Sequence, residues 1–270
     1  MADRAAREAG LADLAAGSEM RPVHPEYVPD PTLSRAEMET LQREIGETAI
    51  FEDENDLNPA RAWTGDPPIV CGVDQAFLED RAVSAIVATR GDEVIERVYA
   101  TTELRIEYIP GLLSFREGES IVAAFQELAA EPDVVLFDGS GRIHFRQAGL
   151  ATHMGVVFDV PSIGVAKRLL CGRLLDPPAE PFPEGTRVPV VANARVDAPD
   201  GTVIGTALQT RQYDGARHIN PLYVSPGHRV GVDTAADVVE RSCAGYKLPE
   251  PIRLADSYVG EVKTQIADDR

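Results

Sequence analysis

Lysine is nearly absent from this sequence of 270 residues: Lys167, Lys247 and Lys263 are the only three among 26 basic side chains. Aspartate and glutamate together number 44, so the net charge is −18. Near 1 M salt, charges are screened within about 3 Å, and such a surface repels itself little. We therefore expect a protein adapted to very high salt. The same charge disfavours a nucleic-acid partner unless basic residues are concentrated locally, as they are at residues 105–116 and 142–173.

Cysteines and long apolar runs are also few, and this excludes several classes of protein. Cys71, Cys171 and Cys243 have no metal-ligand spacing, and their odd number argues against a disulfide framework. No stretch approaches the roughly 20 apolar residues of a membrane span, and the N-terminus lacks the apolar segment of a signal peptide. Hydrophobic residues make up 44% of the chain, which is enough for a core. We expect a cytoplasmic globular protein without a membrane partner.

Two apolar, β-branched segments each end in an aspartate. Ile69–Asp74 (IVCGVD) and Val134–Asp138 (VVLFD) have the composition of buried strands. If these strands are parallel neighbours, the carboxylates of Asp74 and Asp138 meet at one end of a sheet. Carboxylates that close repel each other, and a hard cation such as Mg²⁺ would hold them together. The alternative is that each aspartate only begins a turn.

The order of the predicted elements favours a parallel pair. Three strand-like runs with short connections predict an antiparallel meander, and they are Ile69–Asp74, Ala82–Thr89 and Glu93–Ala100. The later elements are a helix at Phe115–Ala130, a strand at Val134–Asp138, a helix at Gln147–Val157 and a strand at Ser162–Lys167. Helical crossovers make successive strands parallel, so we predict an α/β fold with a mixed sheet flanked by helices.

The ends of the chain are predicted to lie outside this domain. Ser34 and Glu37 form a capping box that opens a helix, and residues 226–229 predict a turn. The polar sequence after Pro249 predicts a loose segment. The predicted divisions are a partly disordered N-terminal arm at residues 1–32, a single domain at 33–256 and a polar C-terminal tail at 257–270.

Further residues extend the chemistry of the aspartate pair. Metal sites built on carboxylates activate water and stabilise a leaving oxygen, as in phosphodiester cleavage. Glu117 is a candidate third carboxylate, although Ser114 and Glu117 also match a capping box, in which Glu117 only satisfies a backbone donor. Lys167 ends an apolar strand and is a candidate phosphate ligand. Tyr108 is either a wedge inserted between bases or an ordinary loop residue.

Longer motifs surround these candidates, and in this order they resemble the endonuclease V family of deoxyinosine 3′-endonucleases. They include Tyr108–Glu117 (YIPGLLSFRE), Phe137–Gly141 (FDGSG), Gly149–Gly155 (GLATHMG), Asp159–Lys167 (DVPSIGVAK) and Gly227–Val230 (GHRV). The resemblance extends over roughly residues 33–256. Glu107, Ser140 and Phe145 depart from the family, which usually has Pro, His and Pro at these positions. The acidic composition adds the expectation of a halophilic archaeal source.

The resemblance implies an RNase H-like fold and a Mg²⁺ site, at which Mn²⁺ can substitute. It implies that Asp74, Asp138 and Glu117 bind the metal and that Lys167 and His228 lie near the scissile phosphate. Tyr108 is implied as the wedge at the lesion. The implied substrate-binding residues are Tyr108, Ile109, Pro110, Gly111, Gly139 and His144. At Gly111 and Gly139 the absence of a side chain would allow a base to approach the backbone closely.

The implied reaction is a nick at the second phosphodiester bond 3′ to deoxyinosine in DNA, leaving 3′-hydroxyl and 5′-phosphate ends. Three alternatives stay open from the sequence. They are a ribonuclease specific for inosine in RNA, a non-catalytic nucleic-acid binder on the same fold, and a structure-specific nuclease such as a junction resolvase. The last requires two active sites in a dimer, whereas we expect a monomer.

Overall fold

The computed structural model describes residues 20–54, 57, 67–212 and 219–268. Within these ranges nine strands form one sheet, in the order β3-β2-β1-β4-β5-β9-β8-β7-β6. The strands are β1 (Ile69–Phe77), β2 (Arg81–Arg90), β3 (Glu93–Glu103), β4 (Val134–Phe137), β5 (Ser162–Ala166), β6 (Arg173–Leu174), β7 (Arg187–Val191), β8 (Val203–Leu208) and β9 (Leu222–His228). The helices are α1 (Arg35–Thr48), α2 (Leu113–Gln126), α3 (Leu150–Phe158), α4 (Val232–Arg241) and α5 (Glu250–Asp268).

The centre of the sheet has the predicted mixed topology. Strands β1, β2 and β3 form an antiparallel meander, and β1 pairs in parallel with β4, with Val73 opposite Phe137. Strand β5 is parallel to β4, whereas β9 is antiparallel to β5. The predicted α/β fold, with a mixed sheet flanked by helices, is therefore confirmed. As a consequence, β1, β4 and β5 all point toward the same end of the sheet.

Alternating side chains bury both faces of the central strands. Cys71 and Phe137 pack in the core under α2 and α3, whereas Val70 and Leu136 pack in a second cluster with α4. Helix α5 lies on β1 and β2, where a side chain at Gly72 would collide with the backbone of Pro251. No helix in the described ranges is long and apolar enough to cross a membrane.

The prediction of a loose segment after Pro249 is wrong, because residues 250–268 form helix α5. Its apolar residues recur at helical spacing and are buried against the sheet, and they are Ile252, Ala255, Val259 and Val262. The predicted turn at residues 226–229 is also wrong, since β9 continues through His228.

The N-terminal segment is anchored on α3 where the structure describes it. The backbone amides of Val23 and His24 donate to the carbonyl oxygen of Val157, at 2.8 and 3.0 Å. The predicted arm at residues 1–32 therefore includes an ordered part at 20–32, while residues 1–19 lie outside the described residues. The predicted capping box of Ser34 and Glu37 is confirmed at the start of α1.

Candidate active site

The two aspartates lie side by side where β4 ends. The backbone amide of Asp138 donates to the carbonyl oxygen of Val73 at 3.0 Å, which places Asp138 beside Asp74. Burial raises the pKa of Asp74, and the neighbouring charge of Asp138 raises it further. The predicted juxtaposition of the two carboxylates is confirmed. We call this part of the molecule, with Asp74, Glu117 and Asp138, the carboxylate end.

Glu117 reaches the carboxylate end from α2. Its side chain is 5% exposed, and its Oε2 atom has no hydrogen-bond partner among the described residues. Burial raises the pKa of Glu117 to about 8, and the charge of Asp74 contributes in the same direction. The alternative of a capping box is wrong, because α2 begins at Leu113 and its N-cap residue makes no side-chain hydrogen bond. The hydroxyl of Ser114 instead lies 2.8 Å from Nδ1 of a histidine, His153.

A fourth carboxylate, Asp256, was missed from the sequence. It lies on α5. Burial and the charge of Asp138 raise the pKa of Asp74 most, and a side-chain hydrogen bond and the charge of Asp256 raise it further. The signal that identifies it is the apolar stripe of α5: Ile252 and Ala255 face the sheet, so a helix there brings Asp256 to the carboxylate end. The polar composition of the segment concealed this stripe.

Lys167 follows β5 and supplies a cation at the carboxylate end. Its Nζ donates to Oδ2 of Asp138 at 2.6 Å, and its side chain is 49% exposed. Partial burial alone would lower the pKa of Lys167, but the hydrogen bond and the charge of Asp138 raise it overall. As they stand, the described residues form no group of three or more His, Cys, Asp or Glu side chains that could hold a metal ion.

The chemistry of the side chains nevertheless fits a hard divalent cation. Carboxylate oxygens are the ligands that Mg²⁺ and Mn²⁺ prefer. The buried oxygen of Glu117, which has no partner in the described ranges, needs either a proton or a cation, since an isolated buried carboxylate is costly. Lys167 is exposed enough to turn away from Asp138. The carboxylate end therefore has the kind of ligands that such a cation prefers.

A cavity of about 310 Å³ adjoins the carboxylate end. Four predicted substrate-binding residues line it together with Asp138 and Lys167, and they are Tyr108, Gly111, Gly139 and His144. Tyr108 is 64% exposed. Ile109 and Pro110 do not line the cavity: Ile109 packs in an apolar cluster with Met38 and Phe115, while Pro110 is exposed.

His144 supports the wall of the cavity. It is 3% exposed, and its Nδ1 atom accepts a hydrogen bond from the backbone amide of Arg146 at 3.3 Å. Its Nε2 atom lies 3.1 Å from the carbonyl oxygen of Gly111 and therefore donates to it. Burial lowers the pKa of His144 to about 3, so the ring is neutral at pH 7.

His228 lies at the opposite end of the sheet, which corrects the prediction that it is near the scissile phosphate. It pairs with Ser162 at the start of β5, whereas Lys167 follows the end of that strand. Ala166 lies four residues after Ser162 along the strand, which corresponds to about 13 Å. The physical reason is the antiparallel pairing of β9 with β5, which carries the end of β9 away from the carboxylates.

Comparison with known proteins agrees with these features. The family model described as Endonuclease V matches residues 54–257. An endonuclease V of Haloarcula marismortui is 59% identical over 92% of this chain and 99% of its own length.

Solved structures give the same result. The endonuclease V of Bacillus subtilis has a TM-score of 0.76 at 27% identity, covering 93% of this chain and all of that one. The endonuclease V of Ciona intestinalis, solved with a 24mer DNA containing an inosine followed by a ribo-adenosine, has a TM-score of 0.69 at 25% identity and covers 86% of this chain and 98% of that one. This chain belongs to the endonuclease V family.

Proposed function

We propose that this protein is a Mg²⁺-dependent DNA repair endonuclease that nicks a strand at the second phosphodiester bond 3′ to deoxyinosine, leaving 3′-hydroxyl and 5′-phosphate ends. The observation that carries the proposal is the buried carboxylate oxygen of Glu117 beside Asp74, which has no partner among the described residues and lies next to a cavity lined by Tyr108. Family membership and the inosine-containing DNA bound to the Ciona relative support the choice of substrate.

In this proposal the carboxylate end binds the metal. Asp74, Asp138 and Glu117 would hold it, and Asp256 lies close enough to Asp74 to contribute a further charge. When bound, the metal would polarise the phosphate and lower the pKa of a water molecule. Lys167, released from Asp138, would stabilise the negative charge that develops on the phosphate.

The cavity and Tyr108 would recognise the damaged base. Deoxyinosine pairs weakly, so its extrusion from the helix costs less than that of a normal base. The volume of about 310 Å³ falls within the range of small-ligand sites, about 300–1,000 Å³. The exposed ring of Tyr108 would fill the gap that the extruded base leaves.

We also propose that the protein is a monomer that works in a cytoplasm of very high salt. Its net charge of −18 and its three lysines support this, as does its 59% sequence identity to the Haloarcula protein. In molar salt the Debye length is about 3 Å, so the repulsion between an acidic protein and nucleic acid is strongly reduced. The local cations near the cavity, Lys167 and Arg168, can then bind phosphates at short range.

One observation favours a second candidate, cleavage next to inosine in RNA. The strand bound to the Ciona relative has a ribonucleotide immediately after the inosine. The same carboxylates, cavity and Lys167 would serve this reaction, so the two candidates differ only in the sugar that the strand carries.

A nicking assay in molar KCl with Mg²⁺ tests the proposal, using matched DNA and RNA strands with and without one inosine. We expect cleavage only of the inosine-containing DNA, one nucleotide beyond the lesion, and no cleavage when EDTA replaces Mg²⁺. Cleavage of inosine RNA alone would move the function to RNA. Binding of the inosine strand without cleavage of either nucleic acid would replace the nuclease by a non-catalytic binder.

A further inference from the structure

Helix α1 precedes the residues matched by the family model, which begin at residue 54, yet it contributes to the cavity. Gln42, in the middle of α1, lines the cavity next to Gly111. Its side chain is 1% exposed, and a buried amide is costly unless its donors and acceptor are satisfied. The hydrogen bonds of Gln42 therefore indicate what it holds in place.

Gln42 connects the two segments on either side of the cavity. Its Nε2 atom donates to the carbonyl oxygen of Gly111 at 2.9 Å and lies 3.4 Å from the carbonyl oxygen of Ala148. Its Oε1 atom accepts a hydrogen bond from Nε of Arg146 at 2.8 Å. One side chain of α1 thus holds the segment that follows Tyr108 and the segment that contains His144.

The carbonyl of Gly111 is the centre of this network. Besides Gln42, it accepts hydrogen bonds from Nε2 of His144 at 3.1 Å and from a guanidinium nitrogen of Arg146 at 3.4 Å. Three donors on one oxygen fix the direction of the peptide group. The exposed Tyr108 stands only three residues before it.

The turn at Gly111 explains why this direction matters. Gly111 has a φ of +83°, and the backbone amide of Leu112 donates to the carbonyl oxygen of Ile109 at 3.0 Å. A tight turn with Pro and then Gly at its central positions matches type II, which needs a positive φ at the glycine. A side chain at Gly111 would also lie 3.0 Å from the ring of Phe145. The turn therefore has little freedom once its carbonyl is held.

We propose that Gln42 is a positioning residue for recognition of the damaged base, because it fixes the Gly111 turn against Arg146 and so holds Tyr108 at the mouth of the cavity. This inference rests on the proposed function, since it assigns the extruded base to the cavity. It adds helix α1 to the recognition site and separates recognition from the metal-binding carboxylates, which Gln42 does not touch.

Simple packing of α1 is carried by other residues, which provides a control. Ile45 is fully buried in a cluster with Ala148 and Val156, and a side chain at Gly46 would lie 2.6 Å from the carbonyl oxygen of Arg146. Ile45→Val loosens this packing but leaves every hydrogen bond of Gln42 in place. It separates a general weakening of α1 from loss of the network.

Two variants of Gln42 test its donor and acceptor hydrogen bonds separately. Gln42→Glu retains the acceptor for Arg146 but has no donor for Gly111, whereas Gln42→Met removes both functions at similar size. The experiment measures the affinity of each protein for inosine-containing DNA and for the matched unmodified strand in high salt with Ca²⁺. It also measures thermal unfolding and, with Mg²⁺, kcat and KM.

We expect both Gln42 variants to lose about ten-fold in the preference for the inosine strand, because the partly buried carbonyl of Gly111 loses the closest of its three donors. KM should rise while kcat changes by less than about three-fold, and Ile45→Val should lower the unfolding temperature without changing the preference. An unchanged preference in Gln42→Glu, an equal loss in Ile45→Val, or failure of both Gln42 variants to fold would overturn the inference. If the wild type itself shows no preference for inosine, the proposed function fails instead.

Discussion

The two ends of the parallel strands carry carboxylates in opposite electrostatic conditions. At the carboxylate end, Asp74 and Glu117 have raised pKa values, and Glu117 keeps an oxygen without a hydrogen-bond partner in the described structure. At the other end, Asp159 accepts hydrogen bonds from His228 at 3.0 Å and from Arg229 at 2.7 and 2.9 Å. We call Asp159, His228 and Arg229 the paired end.

The difference separates residues that serve binding from residues that serve stability. Burial alone would raise the pKa of Asp159, but hydrogen bonds and charges from His228 and Arg229 lower it overall. The paired end therefore stabilises its own charge, whereas the carboxylate end is short of positive charge and is stabilised by an added cation or proton. The fold tolerates this deficit because the sheet and α5 hold the carboxylates in place.

The largest expected effect follows from neutralising the carboxylate end. Asp74→Asn should reduce cleavage of inosine-containing DNA by about 10³-fold or more, because the proposed metal would lose one of its ligands. It should leave stability unchanged or raise it, since one of several repelling charges is removed. Single-turnover cleavage and thermal unfolding in high salt measure the two effects. Retention of the wild-type rate would show that Asp74 does not bind the metal.

The pH dependence of stability should have opposite signs at the two ends. With EDTA present, the raised pKa values of Asp74 and Glu117 stabilise the folded protein below a pH of about 4, and this contribution is lost as the pH rises toward 8. The lowered pKa of Asp159 contributes stability above a pH of about 4, which is lost as the pH falls through its folded value.

Unfolding temperatures between pH 5 and pH 8 check this prediction in the upper range. We expect the protein in EDTA to lose stability as the pH rises, and we expect excess Mg²⁺ or Glu117→Gln to flatten the profile. The same slope in the wild type and in Glu117→Gln, both with EDTA, would show that Glu117 does not cause it.

Disruption of the paired end should affect stability rather than catalysis. Asp159→Asn should reduce the free energy of unfolding by about 1–3 kcal/mol, a range limited by the partial exposure of the site. Asparagine suits this position because Asp159 has a left-handed φ of +52°, so the substitution tests the charge rather than the backbone. Denaturant unfolding measures the loss, and cleavage per folded molecule should stay within about two-fold of wild type.

The sequence predicted the carboxylate end better than the paired end, and the reason is topological. A meander followed by a helical crossover favoured a parallel pairing of β1 and β4, and that pairing brings Asp74 and Asp138 together. The position of His228 instead depends on β9 being antiparallel to β5, a pairing between distant segments that no local pattern encodes.

Two further residues show the limits of local patterns. Glu117 matched both a capping box and a metal ligand, and only the start of α2 at Leu113 decided between them. Asp256 was hidden because α5 is polar on its exposed side, although its buried stripe of Ile252, Ala255 and Val259 has helical spacing. In both cases the packing of a helix against the sheet, and not the motif itself, brought the carboxylate to the site.

The smallest expected effect tests whether the two ends are independent. His228 accepts a hydrogen bond from the backbone amide of Ile50 through Nδ1 and donates to Asp159 through Nε2. His228→Gln should therefore weaken stability slightly, while cleavage per folded molecule, measured by active-site titration, stays within about two-fold of wild type. Lys167→Met at the carboxylate end provides the contrast, because it should slow cleavage without loosening the paired end. A loss of cleavage in His228→Gln as large as that in Lys167→Met would mean that the phosphate is handled across both ends of the sheet.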